Sequence, residues 1–80
     1  MTAAEKRKKA EYLKQFGAHF RKLRLAKGLS TADLARLSDL ETSHIARIER
    51  GGINCSIYFL GNMAKAMGIS VEDLVKGFDE

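Results

Sequence analysis

Proline and tryptophan are absent from this chain, and cysteine occurs only once. The single Cys55 has no internal disulfide partner, and no Cys/His set has the spacing of metal ligands. No apolar run is long enough to cross a bilayer, and no succession of charged, apolar and cleavage-site residues marks a signal peptide. The cytoplasm is therefore the expected location, without a membrane partner. Alternating β-branched residues are scarce, so strands have little support and an all-α fold is expected. Eighty residues allow one domain, which buries only about 60% of its unfolded surface. Such a chain has little room for a substrate cleft, and no serine, histidine and carboxylate pattern rises above chance. No enzyme, metal, cofactor or small-molecule substrate is expected.

What is present is positive charge, unevenly placed. The formal charge is +4, with 12 Lys+Arg against 6 Asp+Glu in residues 1–53 and 2 against 4 in residues 54–80. A basic end beside a mildly acidic one fits a protein that offers only part of its surface to phosphate.

The stretch from Ser30 to Gly51, S-T-A-D-L-A-R-L-S-D-L-E-T-S-H-I-A-R-I-E-R-G, holds two short helical patterns with a tight break between them. Ser30 and Asp33 make a capping-box start, placing a helix from about Thr31 with Leu34, Ala35 and Leu37 as its apolar face. Ser38 and Asp39 compete with the helix through their own side chains and end it. The second helix begins at Glu41 or Thr42 and closes at Gly51. At about 100° per residue from Thr42, Ala46 lies near 40°, Arg50 near 80°, Ser43 near 100° and Arg47 near 140°. Ile45 and Ile48 lie opposite, and His44, near 200°, is assigned to surface or packing. Arginines, hydroxyls and a methyl on one arc are groups that read base edges. Helix, short turn and polar-faced helix together describe a helix-turn-helix reader.

From Phe16 to Leu74 the chain resembles the phage repressor and Cro-type helix-turn-helix family, often called XRE-like regulators. The residues that carry the resemblance are F-G-x-x-F-R-K-L-R-x-x-K-G-L-S, L-A-x-L-S-x-L, I-A-R-I-E-R-G, S-I-x-x-L and M-A-K-A-M-G-I-S-V-E-D-L. The resemblance implies a compact five-helix bundle of the lambda repressor-like type, in which the third helix lies in the major groove. It implies base contacts at Thr42, Ser43 and Arg47; beside them, Thr31, Arg50, Asn54, Lys22 and Lys27 are expected to hold phosphates. A homodimer reading a near-palindrome, with half-sites about 34 Å apart, is expected. Three departures stand out: Thr31 where glutamine is common, Glu41 at the start of the reading helix, and Asp39 where glycine is frequent in the turn.

The remaining segments complete the reading. Residues 1–12 form a basic N-terminal extension, and residues 13–80 the helix-turn-helix domain. Lys6, Arg7, Lys8 and Lys9 either touch DNA backbone as an arm or helical extension, or belong to a solvated, frayed terminus. From Leu13 to Lys27 the stripe Leu13, Phe16, Phe20, Leu23 marks the first helix, with His19 off it and Arg24 on its margin. Arg24 and Glu49, each at the edge of an apolar face, are expected to form an ion pair, since long charged chains are rarely buried unpaired. The resemblance implies the same pair.

Asn54 and the N–H groups after it suit a phosphate, against the bland reading of an ordinary turn; Cys55, where the family often has proline, is a small packed residue. Ser56 caps a helix over about Ile57–Met67 whose core face is Ile57, Leu60, Met63, Ala64 and Met67. Tyr58 and Phe59 lie outside or beside that face, and Gly61 marks a close approach. Ser70 and Asp73 start a last helix at Val71, leaving Val71, Val75 and Phe78 as an exposed dimer surface or as further packing within the chain. Two functions from different classes follow: a dimeric, sequence-specific transcriptional regulator, or an interaction module such as an antitoxin whose partner is another protein. The arginines and hydroxyls of the reading arc favour the regulator.

Overall fold

The computed structural model describes residues 1–80 as five helices: α1 (Ala3–Ala26), α2 (Thr31–Ser38), α3 (Thr42–Glu49), α4 (Ile57–Met67) and α5 (Val71–Val75). Four of them start on a hydroxyl that accepts an otherwise orphaned N–H: Thr2 from Glu5, Ser30 from Asp33, Ser56 from Phe59 and Ser70 from Asp73. At Thr2 and Ser30 the bond is reciprocated by the N3 carboxylate, completing a capping box. At Ser70 it is not reciprocated, so the second box expected from the sequence is only half made. Glu41, which precedes α3, makes no side-chain cap.

Thr2 changes the reading of the N-terminus. α1 starts at Ala3 rather than near Leu13, and runs 24 residues without a break. At 1.5 Å per residue it is about 36 Å long, which accounts for the 38 Å long axis of the molecule. The signal was present as Thr2-x-x-Glu5, but a run of lysines hid it.

α1 and α4 end on Gly28 and Gly68 in the left-handed region, and α3 is followed by Gly51 in the same conformation. After α2 that place is taken by Asp39, at φ 59° and ψ 32°, and the Leu40 N–H reaches back to the Ala35 carbonyl at 3.1 Å. The break between α2 and α3 is thus an ordinary helix stop built with the wrong residue for comfort.

The core is Phe16, Phe20, Leu34, Ala35, Ile45, Ile48, Phe59, Met63, Ala64, Met67 and Leu74. It differs from expectation at several points. Phe59 is buried and stacks on Phe20 (6.0 Å) and His44 (5.2 Å), whereas Ile57 is 77% exposed. Four consecutive large apolar residues, Ile57 to Leu60, surround the start of α4, so the periodicity alone does not choose among them; the neighbours Phe20 and His44 do. Leu37 is 53% exposed, and the inward place on α2 goes to Ser38, whose hydroxyl donates to the Leu34 carbonyl at 2.7 Å.

Gly61 has open space where a side chain would stand, so no close approach explains it. The close approach is at Gly17, where an added Cβ would meet the Ile48 and Glu49 carbonyl oxygens at 2.5 and 2.6 Å. The backbone of α1 therefore lies directly against the C-terminal end of α3.

Val71, Val75 and Phe78 are half-buried rather than exposed, packed against the core. Phe78 meets Tyr12 and Phe16 edge-on, at 5.0 and 5.2 Å, and Tyr12 donates to the Asp79 carboxylate at 3.0 Å. That bond, followed by burial, raises the Tyr12 phenol above its ordinary pKa. His19, beside Phe78, is 2.8 Å from the Leu74 carbonyl. The middle of α1, from Tyr12 to His19, thus holds the C-terminal residues down.

Candidate nucleic-acid interface

α3 is eight residues long and apolar on one side only. Ile45 and Ile48 are fully buried in a helix packed against α1 and α2, which fixes the rotation of α3 about its axis. Thr42, Ser43, Arg47 and Arg50 are left exposed, with Ala46 half-buried between them. The arc drawn from helical periodicity is therefore the solvent-facing side of a helix whose opposite side is locked.

Two devices lock its C-terminal end. Arg24 grips the Glu49 carboxylate through Nε to Oε2 at 2.6 Å and Nη2 to Oε1 at 2.9 Å, and spends Nη1 on the Leu29 carbonyl at 2.8 Å. The Glu49 carboxylate raises the Arg24 pKa still further above its ordinary value. Both carboxylate oxygens and all three guanidinium nitrogens have a partner, so no buried polar atom of the pair is left without one. Beyond it, Gly51 sits at φ 79°, and a Cβ there would meet the Lys14 backbone at 2.8 Å. Gly51 is needed twice, for its conformation and for its lack of a side chain.

The N-terminal end is held less tightly. The Ser43 hydroxyl lies 3.5 Å from a Glu41 carboxylate oxygen, and the N–H groups of the first turn have no side-chain cap. An acidic side chain there favours the helix dipole, while it also places a negative charge beside Thr42 and Ser43.

The other residues expected at a phosphate backbone lie on other elements. Thr31, the first residue of α2, is half-buried; Asn54 is exposed in the link to α4; Lys22 and Lys27 are exposed on α1 and at its C-cap. Asn62, which the sequence did not single out, donates from its side-chain nitrogen to the Ser38 carbonyl at 3.0 Å and ties α4 to the end of α2. Cys55 is half-buried, and burial pushes its thiol pKa up, so at neutral pH it packs as a protonated apolar group. No group of His, Cys, Asp and Glu side chains is arranged to hold a metal ion, and no helix is long and apolar enough to cross a membrane.

Five helices with an exposed, polar third helix set by a short turn define a helix-turn-helix protein. The family model described as "Helix-turn-helix domain" matches residues 15–76. The chain belongs to that family, in its Cro/C1-type, XRE-like branch of transcriptional regulators.

Among solved structures it is similar to the restriction-modification controller protein C.AhdI of Aeromonas hydrophila, at 42% identity and TM-score 0.74 over 78% of this chain and 94% of that one. It is similar also to the controller protein C.Esp1396I, solved as a tetramer on its natural 35 base-pair operator, at 32% identity and TM-score 0.73 over 86% and 96%. The control protein C.BamHI of Bacillus amyloliquefaciens is 38% identical over 75% of each chain. The regulator DdrOP3 of Deinococcus deserti is 34% identical over 74% of this chain, which spans about half (46%) of that protein's length.

Proposed function

We propose that this chain is a sequence-specific, duplex-DNA-binding transcriptional regulator that acts in the cytoplasm as a homodimer or higher oligomer. The observation that carries it is α3: Ile45 and Ile48 buried, Thr42, Ser43, Arg47 and Arg50 exposed. In this reading α3 enters the major groove, Thr42, Ser43 and Arg47 meet base edges, and Thr31, Arg50, Asn54, Lys22 and Lys27 hold phosphates. Such a rigid, outward-facing set of donors serves a protein-holding module poorly, which favours the regulator over the antitoxin alternative. Similarity to C.Esp1396I, solved on operator DNA, supports the same reading.

Residues 1–12 are the basic extension, continuous through α1 with the reading domain of residues 13–80. For self-association we assign the α5 end, Val71, Val75 and Phe78. An apolar cleft of about 160 Å³ opens there, lined by Tyr12, Leu13, Phe16, Cys55, Leu60, Val75 and Phe78 with Asn54 at its edge. Val75→Asp is expected to lower the sedimentation mass to that of one chain, and an unchanged mass removes this surface.

Selection of bound fragments from random and genomic DNA at a stated salt concentration is the experiment for the function as a whole. An enriched near-palindrome with half-sites about 34 Å apart is expected. No enrichment over input would sink the regulator.

A further inference from the structure

The helix-turn-helix model begins at residue 15, yet the helix that carries it begins at Ala3. We infer that this added length of α1 is a rigid second contact that grips the DNA backbone beside the segment read by α3, through the stripe Arg7, Lys14 and Arg21.

These three residues are seven apart, and seven helical steps return to within about 20° of the same direction. They therefore share one side of α1, with cations about 10 Å apart along it. All three are exposed. The ion pairs of the structure are Arg24 with Glu49 and Arg36 with Asp33, so none of the three is neutralised. The acid nearest this side of α1 in sequence is Glu11, and it forms no ion pair.

The stripe is also placed relative to the reading helix. Its middle member, Lys14, lies against Gly51, whose added Cβ would stand 2.9 Å from the Lys14 Cγ. Gly51 follows Arg50 directly, so the stripe passes α3 where the reading arc ends. On its flank, the Gly17 backbone abuts the Ile48 and Glu49 carbonyls.

Rigidity separates this from a loose basic tail. The Thr2 and Glu5 side chains cap the helix at both of their N–H groups, and Tyr12 is anchored to Phe78 and Asp79. The cations are thus held in place before DNA arrives, and ordering them costs no further backbone entropy. A row of unpaired cations is complementary in charge to a phosphate backbone, which no base sequence alters.

The proposal rests on the DNA-binding reading, and its test separates the two. Binding to a random-sequence duplex of about 40 base pairs is followed by fluorescence anisotropy against salt concentration, since non-specific binding isolates the electrostatic part. The triple variant Arg7→Gln/Lys14→Gln/Arg21→Gln is compared with the parent, with Arg7→Lys/Arg21→Lys, and with Lys65→Gln/Lys76→Gln. The triple variant is expected to lower the log–log salt slope by about 2 to 3; the lysine-for-arginine variant keeps it, and the α4 and α5 lysine variant leaves it within error. An unchanged slope in the triple variant, or an equal drop in the Lys65/Lys76 variant, overturns the stripe and leaves α3 as the reader. A parent that binds no duplex overturns both readings together. Circular dichroism of each variant shows that the helix itself is intact.

Discussion

Arg24 and Glu49 lie in α1 and α3, 25 residues apart in sequence, and meet as two parallel hydrogen bonds at 2.6 and 2.9 Å with side chains only 7% and 9% exposed. A buried pair of this kind is weak evidence for net stability, because both charges had to leave water. Its value is positional: it fixes the end of the helix that faces outward. Removing one member leaves the other buried and unpaired. Arg24→Ala and Glu49→Ala are each expected to cost about 3 to 5 kcal/mol in urea unfolding. The double variant Arg24→Met/Glu49→Met should recover most of that loss while DNA affinity stays low. A double variant that binds like the parent shows the pair to be a stabiliser only.

Gly17 and Gly61 make a matched comparison. Both lie inside helices, where glycine costs about 1 kcal/mol relative to alanine, yet only Gly17 has backbone within 3 Å of the missing side chain. Gly61→Ala is expected to stabilise by up to about 1 kcal/mol. Gly17→Ala should destabilise by about 1 to 3 kcal/mol, because two carbonyls of α3 must move. Since those carbonyls belong to the reading helix, Gly17→Ala should also weaken operator binding beyond its effect on folding. Equal midpoints for the two variants in denaturant would contradict this packing.

These glycines show where the sequence was legible and where it was not. Helix starts and stops are local: Ser30 with Asp33, Ser56, Gly51 and Gly68 each signal their role within four residues, and the structure has them as read. The Arg24–Glu49 pair was legible across 25 residues because an arginine and a glutamate on apolar margins each lacked a partner. What one helix does to the next was not legible. Gly17 and Gly61 look alike in sequence, and only the position of α3 distinguishes them. Phe59 and Ile57 are both apolar near the start of α4, and the choice between them is made by Phe20 and His44 from two other helices. Phe78 reads as an exposed contact in sequence, and Tyr12, 66 residues away in α1, covers it.

Acid should loosen α2 through one residue. The Ser30 backbone N–H and, after it, the Ser30 hydroxyl lower the Asp33 pKa below its ordinary value, with a smaller share from Arg36. A carboxylate depressed by folding stabilises the fold at pH values above its unfolded pKa and loses that contribution as pH falls through the folded value. Thermal melts from pH 5 to pH 2 should therefore show a loss that Asp33→Asn lacks, the variant starting lower at pH 5 and converging with the parent in acid. Parallel curves throughout would mean that another carboxylate carries the acid sensitivity.

Base reading and phosphate holding can be told apart by two arginine and lysine variants with the same nominal charge change. Arg47 is exposed on α3, and Lys22 is exposed on α1. If Arg47 meets a base edge, Arg47→Ala removes both a charge and a bidentate donor. It should cost about 1 to 3 kcal/mol on the selected operator and relax preference at one base position in each half-site. If Lys22 holds a phosphate, Lys22→Ala removes one charge from that contact and no base-reading donor. It should weaken selected and random duplexes alike and lower the log–log salt slope by about 1. The ratio of specific to non-specific affinity therefore falls for Arg47→Ala and holds for Lys22→Ala. Should both variants leave that ratio unchanged, Arg47 is a phosphate contact, and specificity must come from Thr42, Ser43 or the shape of the duplex.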